Sequence, residues 1–227
     1  MTQINIDQIK EKIRKMGAVY QPGNASKVGH VYNPIPFAAF SDIPFQREAC
    51  TERFTMIEKA LVQQPPARFL DLGCHTGYNC YRMHELGYDC TGVEKDPLTA
   101  SIAQDISELY ELNIDFLEGG ISSDLLTSLG QFDVCFFLST YQWLVYAHGD
   151  DTANALLYQI MDMCGEMYFE TSMGMEGKMK LPQLPNVEAI HALLNKGSHK
   201  QVTCLGPVVA PMQELGLKRY IFKTQKR

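Results

Sequence analysis

The sequence predicts an α/β protein built on a mostly parallel sheet with helices on both faces. Three observations carry that prediction. From residue 67 onward, short apolar runs alternate with segments of helical period. One run, Phe132 to Leu138 (FDVCFFL), is apolar almost throughout, as a strand buried on both faces must be. The first run, Arg68 to Leu72, enters a glycine-rich turn, and the carboxyl end of a strand is where an open α/β sheet binds its ligand.

The elements follow in order. Ile6, Ile9, Ile13 and Met16 fall three or four residues apart, so the first 16 residues read as an amphipathic helix. Residues 17 to 46 are rich in Pro, Gly and aromatics with little periodicity. They read as an aromatic strap, or as a lid that brings Tyr20 or Tyr32 to a ligand. Residues 47 to 63 resume a helical period through Phe54, Ile57 and Leu61, and Pro65 and Pro66 end it.

Then come a strand at Arg68 to Leu72, a helix at Tyr78 to Leu86 and a strand at Tyr88 to Glu94. A helix at Pro97 to Leu112 follows, with proline suited to its first turn. Ile114 to Leu117 is a strand and Ser122 to Leu129 a short helix. After the strand at Phe132 to Leu138, Ala153, Leu156, Leu157, Ile160, Met161 and Cys164 mark another helix, with Asp150 or Asp151 as its cap. Met167 to Glu170 is the fifth strand, and Val187 to Leu194 a helix. Gln201 to Leu205 and Arg219 to Lys223 are two late strands with no clear helix between them, which predicts an antiparallel pair at the sheet edge. The basic ending KRYIFKTQKR reads as a solvated tail strand. The expected division is an extension at residues 1–66 and a core at 67–227.

Composition sets bounds on function. The chain has 227 residues, enough for one domain with a real core. A hydrophobic fraction of 45% with 20% charged residues excludes wholesale disorder. A net charge of -6 argues against a sequence-independent nucleic-acid binder, which depends on neutralising phosphates. No apolar run is long enough to span a membrane. The N-terminus lacks the apolar stretch of a signal peptide, so a cytoplasmic protein is expected. The 7 cysteines are scattered and contain no CxxC, and read as reduced core thiols. Cys74, Cys80 and His84 match no common zinc spacing, and no metal is expected.

The strongest local signal is RFLDLGCHTGYN, residues 68–79. Asp71, Gly73 and Gly77 sit in the turn between a strand and a helix, where glycine permits unusual dihedrals and close backbone approach. The next strand ends on Glu94, a carboxylate placed to accept both hydroxyls of a ribose. His75 stands where a dinucleotide-binding loop would need its central glycine, and no Lys-Ser/Thr follows to make a phosphate loop.

This turn resembles motif I of the class I S-adenosylmethionine (SAM) methyltransferases, usually (D/E)-x-G-x-G-x-G, and Glu94 matches the acid those enzymes place on the ribose. The resemblance covers residues 67 to 223. It implies a Rossmann-like class I methyltransferase fold with a seven-stranded sheet, mostly parallel, and a C-terminal antiparallel strand pair. It implies SAM as cofactor, with Asp71 orienting the loop or meeting the ammonium. The backbone at Gly73, His75 and Gly77 would lie along the methionine moiety, and Ile121 would pack on the adenine. Gly120 stands where the family usually has an acid near the adenine.

The segment after the fourth strand, FLSTYQWLVYAHGD (residues 137–150), resembles two groups that methylate phosphates. One is the RNA 5′ γ-phosphate capping methyltransferases, whose turn GCHTG also resembles. The other is the methyltransferase domains that cap bacterial O-antigen chains. The Lys of the first group is Gln142 here, and the His pair of the second is Gln142 and Trp143. Ser139 is the expected ligand contact at the strand exit, and Tyr141, His148 and Glu170 the expected catalytic side chains.

Methyl transfer from a sulfonium is an in-line displacement governed by alignment. A phosphate oxygen needs only cationic or hydrogen-bonding positioners, whereas a sugar hydroxyl needs a base, and His148 suits either role. Arg47, Lys178 and Lys180 are loop cations, read as ordinary solvated charges or as contacts for an anionic acceptor, and Met173, Met175 and Met179 an adaptable apolar wall. Trp143 is expected in the core. The expected function is SAM-dependent O-methylation of a phosphate or sugar group on a glycan or small molecule. RNA is the less favoured acceptor. N- or O-methylation of another metabolite, and a non-catalytic SAM-binding subunit, are the alternatives.

Overall fold

A computed structural model describes residues 4–20, 30–47, 49–174, 180–209 and 218–226. The central sheet takes its strands from β1 (Arg68–Leu72), β2 (Asp89–Glu94), β3 (Ile114–Glu118), β4 (Phe132–Leu138), β5 (Cys164–Glu170), β6 (Gln201–Val209) and β7 (Lys218–Gln225), in the order β3-β2-β1-β4-β5-β7-β6. The first five are parallel. β7 runs antiparallel between β5 and β6. The pair at the end of the chain is therefore as expected, but its basic strand is not a solvated tail. β7 lies inside the sheet, with Ile221, Phe222, Lys223 and Thr224 buried.

Two apolar layers cover the sheet. One holds α3 (Tyr78–Glu85) and α4 (Pro97–Leu109), together with α1 (Ile6–Tyr20) and α2 (Cys50–Glu58) from the N-terminal segment. The other holds α5 (Ser123–Leu129), α6 (Tyr141–His148), α7 (Asp150–Met163) and α8 (Val187–Leu194). Ile9, Ile13 and Met16 are buried, as their spacing requires. Lys12 pairs with Asp105 of α4 at 2.5 Å, and Phe37 stacks on Tyr110 with centroids 4.0 Å apart. The N-terminal segment thus shares the core of the sheet on that face.

Local chemistry sets the helix starts. Asp96 caps α4 by accepting the Thr99 amide at 2.8 Å, with Pro97 in the first turn. Ser122 and Asn186 cap α5 and α8 in the same way. At α7 the expected cap was Asp150 or Asp151. Gly149 holds that position, with φ 80° and ψ 170°, and both aspartates lie in the first turn, where they favour the positive end of the helix dipole. Cys164, expected in that helix, begins β5 instead. α6 was not expected at all. The helix expected over 47–63 forms only from Cys50 to Glu58, because Arg47 is held back by its amide bond to the Tyr32 carbonyl.

Candidate functional site

The site is built on the carboxyl edge of the parallel strands. β1 ends at Leu72, and the next residues turn sharply: Gly73, His75 and Gly77 have φ of 84°, 53° and 90°. A side chain on Gly73 would put its Cβ 2.5 Å from Thr140 Oγ1, so glycine is required for the turn to pass the end of β4. Thr140 in turn donates to the Leu72 carbonyl at 3.0 Å. On Gly77 a Cβ would lie 2.6 Å from Phe116 Cζ.

Glu94 closes the other side. Its Oε2 accepts the His75 amide at 3.1 Å and its Oε1 the Asp96 amide at 2.9 Å. The amides of Gly73 and Cys74 both bond to the Val93 carbonyl, and Gly119 bonds to the Glu94 carbonyl. The ends of β1, β2 and β3 are thereby locked together. A carboxylate has about four acceptor positions, so Glu94 keeps capacity for a diol beyond its two amides. Burial raises its pKa above the usual carboxylate range, against the pull of the two amides. Burial likewise pushes the His75 imidazole down to about 4, so it is neutral near pH 7. Burial pushes Asp71 up to about 7; its carboxylate accepts from Asn79 Nδ2 at 3.1 Å, which ties β1 to the first turn of α3. Ile121 is half-buried at the edge of the second apolar layer, and a Cβ on Gly120 would meet nothing within 4 Å. An acid with spare acceptor positions beside a glycine turn at the strand edge fits an adenosine ligand.

The second half of the site surrounds Glu170 at the end of β5. Its side chain is fully buried. Nη2 of Arg47 lies 3.1 and 2.9 Å from its two oxygens, and Nη1 of Arg53 and Arg219 at 3.4 and 3.5 Å. Ser139, with φ 59°, donates its hydroxyl to Glu170 Oε1 at 2.6 Å and accepts from Arg219 at 2.9 Å. Arg47 also donates to the Tyr32 hydroxyl at 3.0 Å. Burial would raise the Glu170 pKa, but Arg47, Arg53 and Arg219 outweigh it and hold the carboxyl at about 2. It is an ionised anchor and not a proton acceptor near pH 7.

The expected site residues divide accordingly. Asp71, Gly73, His75, Gly77 and Glu94 come together at one strand edge. Ser139 and Glu170 meet beside the end of β4. Tyr141 is buried, packs against Phe137 and Phe169, and donates its hydroxyl to Asn154 of α7 at 2.6 Å. His148 is exposed in the last turn of α6, about 10 Å along the helix from Tyr141 at 1.5 Å per residue. Tyr20 ends α1, and its side chain lies outside the described residues, as do Met175, Lys178 and Met179. Trp143, expected in the core, is 48% exposed beneath Lys95. Arg47, expected as a solvated loop cation, is fully buried.

Sequence reasoning missed Arg53 and Arg219. Arg53 left a signal, since it falls one turn from Cys50 and Phe54 flanks it on the apolar face of α2. Arg219 left none, because its neighbours come from β4 and β5. Among the described residues no group of acids, histidines and cysteines gathers to hold a metal, and no helix is long and apolar enough to cross a membrane. Six of the seven cysteines are buried and Cys204 is exposed.

Comparison with known proteins agrees with this fold. Residues 70–160 match the family model described as a methyltransferase domain. The bifunctional kinase-methyltransferase WbdD is similar over 98% of this chain, with 16% identity and a TM-score of 0.71. The chain covers 46% of WbdD, so it spans about half that protein's length. The N-terminal domain of EvdMO1 with SAH bound is similar over 99% of this chain and 98% of its own, with 13% identity and a TM-score of 0.65. At these identities the likeness establishes the fold. No curated protein sequence matches significantly. Residues 70–160 are thus similar to a methyltransferase domain, the fold is the Rossmann-like one of these neighbours, and the match to that model indicates SAM as the cofactor.

Proposed function

We propose that the protein is a SAM-dependent O-methyltransferase acting on a phosphate or sugar group of a glycan or small molecule. The observation that carries the reading is the juxtaposition of two halves at one strand edge. Gly73 of the cofactor turn lies against Thr140, and the next residue back, Ser139, bonds Glu170 and its arginines. SAM, when bound, supplies a sulfonium methyl. In this reading Glu94 holds the ribose diol, the backbone from Gly73 to Gly77 lines the methionine moiety, and Ile121 flanks the adenine. Asp71 holds the turn through Asn79.

The acceptor half favours oxygen. Among the described residues it offers hydroxyl and guanidinium donors, and its one carboxylate is ionised and occupied by arginines. Such a half can orient an anionic or hydroxylated acceptor but has no spare base of its own, which favours an oxygen already ionised. WbdD is described as a kinase-methyltransferase, and EvdMO1 was crystallised in the presence of D-fucose, which supports acceptors of the phosphate and sugar classes. A cytoplasmic setting belongs to the same reading.

The test is calorimetry with SAM and its demethylated product, followed by mass spectrometry of products from labelled SAM. The acceptor panel would hold phosphorylated glycans, free sugars, short RNAs and small metabolites. Methyl transfer to a phosphate or hydroxyl oxygen is expected. Absence of SAM binding would overturn the cofactor assignment, and binding without turnover on any acceptor would favour a non-catalytic subunit.

A further inference from the structure

Three guanidinium groups share a single carboxylate at the carboxyl edge of the sheet. Arg47 and Arg53 come from the N-terminal segment, Arg219 from the start of β7, and Glu170 lies among them. The antiparallel course of β7 brings Arg219 to this edge, because the strand enters the sheet where β5 leaves it. The exposures of the three side chains are 0%, 2% and 16%. The cluster therefore holds two more positive charges than Glu170 can pair. A buried charge without a partner is strongly unfavourable, so such an arrangement calls for a further anion.

Several observations point the same way. Nε of Arg47, Arg53 and Arg219 all lack a hydrogen-bond partner among the described residues. Glu170 holds Arg47 above the ordinary guanidinium pKa despite burial, whereas burial and repulsion by Arg47 lower that of Arg53. Arg53 is thus the poorly compensated cation. Among the described residues Glu170 is the only carboxylate in ion-pair contact with the three arginines, and Asp71, pushed up to about 7 by burial, offsets Arg53 only in part. Burial would keep the Tyr32 phenol protonated, yet the arginines lower its pKa, which reports a positive local field. With a net charge of -6 on the whole chain, such a field must be local.

We propose that Arg47, Arg53 and Arg219 form an oxyanion-binding subsite that holds an anionic group of the methyl acceptor, a refinement that rests on the O-methyltransferase reading above. Guanidinium groups suit this role because their planar N–H pairs match oxyanion geometry. Arg219 is the least buried member and the one an incoming anion would meet first. Ser139 stands between Arg219 and Glu170 and fixes the subsite against the end of β4, one residue from the contact with the cofactor turn. Glu170 keeps the three cations in place when no ligand is bound.

The test is a calorimetric titration of the full chain with inorganic phosphate at constant ionic strength, with acetate in a parallel arm. Saturable phosphate binding to the wild type is expected. Arg219→Gln should weaken it at least tenfold, and Arg219→Lys, which keeps the charge and loses the fork, should fall between. Glu170→Gln removes the competing carboxylate and should tighten binding several-fold. Response to phosphate alone assigns a phosphoryl ligand, and response to both anions a general oxyanion site. The proposal is overturned if the wild type binds neither anion, if Arg219→Gln binds as tightly as the wild type, or if phosphate binds only to Glu170→Gln in place of the lost carboxylate. Titration of the same samples with SAM separates the two readings. Phosphate binding without SAM binding would retain the subsite and sink the methyltransferase reading.

Discussion

Nη2 of Arg47 bridges both carboxylate oxygens of Glu170, at 3.1 and 2.9 Å, with neither side chain exposed. The two residues are 123 positions apart. The pair fastens the segment before α2 to the end of β5, and so joins the N-terminal part of the chain to the carboxyl edge of the sheet.

Acid should break this link. The Glu170 pKa lies at about 2 in the folded protein against 4.5 for the free group, so the folded state binds fewer protons there. Its contribution, about 3 kcal/mol from that difference, is complete above pH 4.5 and disappears as pH falls toward 2. Denaturant unfolding of the wild type should show a steep loss of stability over that window. Glu170→Gln should be less stable at pH 7 by about 3 kcal/mol and flatter below pH 4.5. Parallel curves for the two proteins would remove Glu170 from the linkage.

Asp71 predicts the opposite dependence near neutrality. Burial raises its pKa from 3.8 to about 7, so the folded state binds more protons than the unfolded chain. That contribution is present at low pH and fades as pH rises through 7, by about 1 kcal/mol between pH 6 and pH 8. Asp71→Asn carries no titrating group and should lack this decline. Melting temperatures across pH 6 to 8, without ligand, decide the matter, and identical slopes would refute it.

Glu94→Gln should weaken SAM binding by about tenfold or more, since a hydrogen bond to a charged acceptor contributes about 1.5 to 3 kcal/mol. The amide oxygen can still receive one of the two backbone N–H groups that Glu94 accepts, so the turn should survive. Calorimetry measures the change, and an unaltered dissociation constant would take the ribose role away from Glu94.

Gly77→Ala should destabilise the protein by about 2 to 4 kcal/mol, from the left-handed backbone and the crowded Cβ together. The Cβ would sit 2.6 Å from Phe116 and 2.8 Å from Tyr81. Gly120→Ala is the matched control, because its Cβ would enter open space. Its stability should stay within about 0.5 kcal/mol of the wild type in chemical denaturation. Equal losses at both positions would mean that the clash at Gly77 relaxes freely.

Local pattern determined the strands and most helices of this protein. Periodicity of apolar residues, caps and glycine turns are decided within a few residues, so β1, β4 and α8 have the ends that the sequence predicts. The cofactor side was legible for the same reason. The turn from Asp71 to Gly77 is contiguous, and Glu94 follows one strand later at the edge that parallel pairing aligns with it. Where local signals competed, the sequence was ambiguous. α6 lies in a polar and aromatic segment, and its start and stop depend on Thr140 packing against Gly73 and on Gly149 breaking into α7.

Ser139, Glu170 and Arg47 were named from the sequence one by one, but their meeting is decided by the tertiary structure. Arg47 and Arg53, Ser139, Glu170 and Arg219 come from four separate stretches of chain, and spacing does not link one stretch to another. In water each of these arginines would be an ordinary solvated cation. Their meaning comes from the fold, which removes solvent and brings them to one carboxylate. Inside the protein electrostatic interactions strengthen and uncompensated charge becomes a constraint on what can bind.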